Sequence, residues 1–175
     1  IGHAARVAYL AHEVGRHLGF GPEERRGVLA VGLLHDAGVA VRHEGGHLLA
    51  SAWVATRFGF DESMGASILA THERWDGRGR PDGLSGHEVP IDGLVVSAAH
   101  WASEFADSAM SPLRARAQLQ NASLSDIEPL AGPEVAAALH AVLNDDQTWL
   151  AMRNGGLAGI IGSAGVGEGR PSYAQ

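Results

Sequence analysis

Apolar residues along this chain recur three or four positions apart, and glycine or proline closes almost every such run, which restricts the fold to packed helices. His3, Val7, Leu10, Val14 and Leu18 share one face of a first helix that ends at Gly19. A second helix starts at Pro22, where proline suits the first helical position and Glu23 and Glu24 suit the positive helix end. Its apolar residues Val28, Leu29, Val31, Leu33 and Leu34 run into His35 and Asp36 and stop at Gly38. The spacing predicts a third helix from His47 to Phe58 and a fourth from Asp61 to about His72, with Asp61 as N-cap. From Arg74 to Pro90 the segment RWDGRGRPDGLSGHEVP sustains neither regular period and reads as an ordered loop. Helices are predicted again over about Ile91 to Ala106, Leu113 to Asn121 and Pro133 to Arg153. No alternating strand run and no internal repeat is present. The expectation is an all-α domain over 1–153, a single bundle of six to seven helices with a Gly/Pro-rich loop after the fourth. Residues 154–175, rich in glycine, are expected to form a tail or linker.

The chain has no cysteine, so disulfides, thiolate nucleophiles and cysteine-bound zinc or iron–sulfur centres are excluded, and any metal must use nitrogen and oxygen ligands. Twenty acids against 13 bases, all arginine, give a net charge of -7, which disfavours long nucleic acids and anionic lipid. No window approaches the roughly 20 apolar residues of a membrane-spanning helix, and no signal-peptide pattern opens the chain. A cytoplasmic protein without membrane contact by this segment is expected. The chain opens at Ile1 and is helix-patterned by its third residue, so fusion to or partnership with upstream signalling domains is expected as well.

Ten histidines stand in this sequence, and their placement carries the chemistry. His35 and Asp36 end an apolar helix, and a carboxylate at the edge of a core needs a partner, because burying it unpaired costs several kcal/mol. A divalent cation would be such a partner, and imidazole plus carboxylate suits iron, manganese, zinc or nickel without choosing among them. The alternative for an isolated dipeptide is a histidine bonded to helix carbonyls beside a solvated aspartate. Here His3, His47, His72 and His100 fall on, or at the ends of, four other helices, and helical bundles build metal sites from facing helices in this way. His12, His17, His43, His87 and His140 read as ordinary core or surface histidines, and Trp53, Trp75, Trp101 and Trp149 as packing residues.

The segments HAARVAYLAHEVGRHLGF, LLHDAGVAV and HERWDGRGRPDGLSGHEVP together resemble the HD-GYP branch of the HD superfamily of metal-dependent phosphohydrolases. The resemblance covers about Gly2 to Met110 and rests on three motifs in the family's order. It implies metal binding by His3, by His35 with a metal-bridging Asp36, and by His47, His72 and His100. Four departures stand out. Thr71 replaces the first of two paired histidines, His100 replaces an aspartate, and Arg80 replaces the tyrosine of the GYP signature. The position of a glutamate used by some members would precede Ile1. One metal site looks intact and the second weakened.

The resemblance further implies hydrolysis of a small phosphorylated nucleotide, with bacterial cyclic di-GMP the expected substrate and one or two divalent ions as cofactor. Asp36 would be the central ligand, with His72 a second ligand or a proton donor to the leaving group. Arg74, Arg78 and Arg80 fall within seven residues of the glycine-rich loop, and guanidinium forks match phosphate geometry, so they are the expected substrate-binding residues. Two further readings stay open: a catalytically degenerate signalling module that binds a ligand or protein partner, and a helical domain whose histidines are structural.

Overall fold

The computed structural model describes residues 2–40, 46–108, 112–154 and 159. Among them the regular structure is all helix, with nine α-helices: α1 His3–His17, α2 Pro22–Leu34, α3 Gly46–Arg57, α4 Glu62–Leu69, α5 Ile91–Ser108, α6 Pro112–Gln120, α7 Leu124–Ala131, α8 Pro133–Asn144 and α9 Asp146–Asn154. Short 3-10 turns follow α2 at Ala37–Ala40 and α4 at Ala70–His72. The all-α expectation holds, with more helices than the six or seven anticipated.

Two differences account for the count. Helix α7 was not anticipated, because eight residues containing Pro129 and two acids make a weak helical signal. Its start is fixed by Ser123, whose N–H and hydroxyl both donate to the Asp126 carboxylate at 2.9 Å. The long final helix expected over Pro133 to Arg153 is two helices. Asp145 adopts extended backbone between them and its carboxylate accepts the Gln147 N–H at 2.9 Å, ending α8 and opening α9. Of the expected tail, 154–175, all but two residues lie outside the described residues.

The core is built by α1, α2, α5 and α8, whose Val7, Leu10, Val14, Val28, Val31, Leu94, Val95, Leu139 and Val142 are buried in one cluster. Two glycines let the site-bearing segments approach. A Cβ on Gly32 would lie 2.7 Å from the Ala8 Cα, so α1 and α2 meet there backbone to backbone, bringing His3 beside the end of α2. A Cβ on Gly38 would lie 2.2 Å from the His47 carbonyl oxygen, and the Gly38 N–H donates to Ser51 Oγ at 2.8 Å. The turn after α2 is thereby seated on α3.

Trp75, Trp101 and Trp149 are partly buried against the core, and the Trp149 indole N–H donates to the Leu143 carbonyl at 2.8 Å. Trp53 differs from the expectation that it packs: it is 51% exposed, with the Arg57 guanidinium 5.5 Å from its ring centre. The buried side of α3 is supplied by Ala50, Ser51 and Ala55 instead.

Candidate metal centre

His35 caps the C-terminal end of α2 and is fully buried. Its Nδ1 lies 2.7 Å from the Gly32 carbonyl oxygen. A carbonyl only accepts, so Nδ1 bears the proton and Nε2 presents a lone pair. That Nε2 is buried with no hydrogen-bond partner, yet it stands 3.2 Å from Asp36 Oδ2. Pairing with a His35 ring protonated on Nε2 as well, foremost, with His100 and His3 adding to it, holds the Asp36 carboxyl down at about 2 against the opposing effect of burial. Either that second proton or a metal ion in its place puts a positive charge between Nε2 and the carboxylate.

His3 of α1 approaches the same carboxylate, its Nε2 3.9 Å from Asp36 Oδ2. Its Nδ1 is 3.2 Å from Ser103 Oγ, to which Arg6 Nε donates at 3.3 Å. Arginine only donates, so Oγ has a lone pair left to accept the Nδ1 proton, an arrangement that orients the ring with Nε2 toward Asp36. His100 of α5 completes the group, its ring 4.9 Å from that of His3 and 5.1 Å from that of His35. His3, His35, Asp36 and His100 each offer a donor atom, all within 4.8 Å of one another.

A second group flanks the first and shares its carboxylate. Asp36, His47 and His72 also bring donor atoms within 4.8 Å, with His47 Nε2 4.0 Å from Asp36 Oδ1 and 3.4 Å from His72 Nε2. The His47 side chain is 43% exposed, so this flank opens to solvent while His35 closes the other side. Burial foremost pulls the His100 pKa down to about 4, with His35 adding; burial and then His47 lower that of His72. Both imidazoles are therefore neutral near pH 7 and keep a lone pair for a metal. Three imidazoles with a carboxylate, and two imidazoles with the same carboxylate, make a donor set that fits a divalent transition ion.

The loop after α4 is ordered by Glu73, 1% exposed, whose Oε1 accepts the N–H groups of Asp82 at 2.6 Å and Gly83 at 3.2 Å. The Arg80 N–H returns to the His72 carbonyl at 3.0 Å, so the arginine loop doubles back beside the site. The Trp75 and Asp76 N–H groups donate to the Leu130 and Pro129 carbonyls of α7 at 2.9 and 3.0 Å. The Pro129 carbonyl is available because Pro133, four residues on, has no N–H to offer it. Arg74 forms a two-pronged pair with Asp76 at 2.9 and 2.8 Å, while Arg78 and Arg80 are exposed.

A family model described as the HD domain matches residues 1–104. The chain belongs to the HD domain family. It is 57% identical over 37 residues to a cyclic di-GMP phosphodiesterase of Thermotoga maritima, covering 21% of this chain and 10% of that protein. It is 26% identical over 114 residues to the 3'3'-cGAMP-specific phosphodiesterase 1 of Vibrio cholerae, covering 55% of this chain and 26% of that protein. This HD domain thus spans about a quarter or less of the length of these curated relatives. A crystal structure of a cyclic GMP-AMP specific phosphodiesterase of V. cholerae matches its fold with a TM-score of 0.73 at 14% identity, over 93% of this chain and 48% of that one.

Within this HD domain the structure places the residues expected from sequence as follows. All six expected ligands lie in the two donor groups. Thr71 does not: it is buried, and its hydroxyl donates back to the Ile68 carbonyl of α4 at 2.8 Å. His87 stands edge-on to Trp75, and His43 lies outside the described residues. A cavity of about 490 Å³, lined by Leu10, Leu119, Leu143 and Trp149 among others, includes none of the six donors. Glu73, which holds the loop, and Ser103, which contacts the His3 ring, are the supporting residues least visible in the sequence. Glu73 sits inside the quoted HERWDG motif, between a ligand candidate and an arginine, and that was the signal available for it.

Proposed function

We propose that this HD domain hydrolyses a phosphodiester bond of a cyclic dinucleotide, cyclic di-GMP or a relative such as 3'3'-cGAMP. The observation that carries the reading is Asp36, whose two oxygens face two separate groups of imidazoles. A divalent ion held there would lower the pKa of a bound water and neutralise a phosphoryl oxygen. His3, His35, Asp36 and His100 are the residues that would hold it, with Gly32 and Ser103 orienting two of the rings. His72, on the open flank, is placed to bind the second side of the centre through its lone pair or, in its protonated form, to give a proton to the leaving oxygen. Arg78 and Arg80 meet the substrate phosphates, and Arg74 keeps the loop in shape through Asp76. The relatives named as phosphodiesterases of cyclic di-GMP and 3'3'-cGAMP support this substrate class.

A second reading has one observation in its favour. Thr71 turns its hydroxyl back to the Ile68 carbonyl of α4, which leaves the open flank with two imidazoles and a shared carboxylate. A domain so built can bind a cyclic dinucleotide without cleaving it. Incubating metal-reconstituted protein with each dinucleotide and separating products by chromatography decides the matter. A linear dinucleotide that disappears with chelator and with Asp36→Asn supports hydrolysis. Intact substrate in the presence of bound metal leaves the binding-module reading.

A further inference from the structure

The two donor groups differ in chemistry as well as in depth. The inner group has three imidazoles and one carboxylate around a buried wall; the outer has two imidazoles and only that same carboxylate. A single anionic ligand cannot offset the charge of two divalent ions, so filling one group weakens the other. Two further carboxylates stand beside the inner group, Glu104 at 3.6 Å from His100 Nε2 and Asp107 at 3.7 Å from His3 Nδ1; both are exposed and belong to neither group. Imidazole suits zinc and iron, whereas carboxylate and water suit manganese and magnesium.

From these facts we infer that the centre holds one divalent ion tightly, in the inner group, and that His100 sets both the number and the kind of ion. Three nitrogen donors make the site favour a borderline ion of the zinc or iron class beyond the preference that any nitrogen–oxygen site shows. The outer pair, His47 and His72, contributes to substrate handling and not to tight metal retention. This rests on the metal-centre reading above but is independent of whether hydrolysis occurs.

The test is elemental analysis of protein stripped with chelator, reloaded in an equimolar mixture of zinc and manganese, and desalted. The parent is expected to keep about one equivalent, almost all of it zinc, and His47→Ala and Glu104→Gln to keep the same. His100→Ala is expected to lose the ion. Zinc outranks manganese at most sites, so the decisive arm is His100→Asp, which should raise the retained manganese-to-zinc ratio by about tenfold or more. Circular dichroism of each stripped variant confirms that it is folded. Two tightly held equivalents in the parent, loss of the ion in His47→Ala with retention in His100→Ala, or an unchanged ratio in His100→Asp each overturns the inference. A protein that keeps one zinc but leaves every cyclic dinucleotide intact overturns the proposed hydrolysis and leaves this inference standing.

Discussion

His35 Nε2 stands 3.2 Å from Asp36 Oδ2 while its other ring nitrogen is committed to the Gly32 carbonyl. The backbone of α2 thus chooses the tautomer of its own terminal histidine, and the next residue supplies the carboxylate that the free lone pair faces. An ion bound between them ties the end of α2 to α1 and α5, so metal and fold are thermodynamically linked.

Metal should therefore stabilise the protein measurably. At a free metal concentration about 100 times Kd the linkage is about 2.7 kcal/mol, or roughly 5 to 10 °C in melting temperature for a domain of this size. Asp36→Asn keeps the shape of the side chain and is expected to abolish that shift while melting near the stripped parent. Differential scanning fluorimetry with and without zinc measures both.

The stripped chain should weaken in mild acid. His100 titrates at about 4 when folded, because burial and His35 disfavour its charged form, and at about 6.5 when unfolded. Between those values the unfolded state binds more protons, so stability is complete above about 6.5 and is lost as pH falls toward about 4. The urea midpoint followed across that window should decline, and His100→Asn should flatten the decline.

Removing the buried carboxylate of Glu73 leaves the Asp82 and Gly83 N–H groups without their acceptor. Glu73→Ala is expected to cost about 1 to 3 kcal/mol and to expose the arginine loop. Glu73→Gln retains a carbonyl oxygen for the same two donors and should stay near the parent. Hydrogen exchange over residues 74–86 distinguishes them.

A methyl group at Gly38 collides with the His47 carbonyl. Gly38→Ala should lower stability by about 1 to 3 kcal/mol and displace His47 from Asp36. Chemical denaturation reports the first effect. On the hydrolysis reading, a raised KM for the cyclic dinucleotide reports the second.

Much of this architecture was readable from spacing alone. The apolar faces of α1 and α2 and the glycines that end them were visible, and His35 with Asp36 marked the site because a polar pair closing an apolar run demands a partner. What escaped depended on contacts distant in sequence. Helix α7 contains a proline and two acids, and it matters because its carbonyls receive the Trp75 and Asp76 N–H groups. The break at Asp145 is a side-chain cap inside an otherwise continuous helical pattern. Trp53 shares the helical spacing of a packed residue, yet small residues fill the buried side of α3. Glu73 reads as one more surface acid until two N–H groups of the loop are seen to close on it. Arg74 reads as a free cation until Asp76 is seen to hold it.

The proposed metal centre is formed by His3, His35, Asp36 and His100. Crystals grown with zinc and measured at the zinc absorption edge test it directly. A strong anomalous peak is expected among the ring nitrogens of His3, His35 and His100 and an oxygen of Asp36. A zinc-soaked crystal with no peak there, or with peaks only at surface histidines such as His17 and His140, would contradict it.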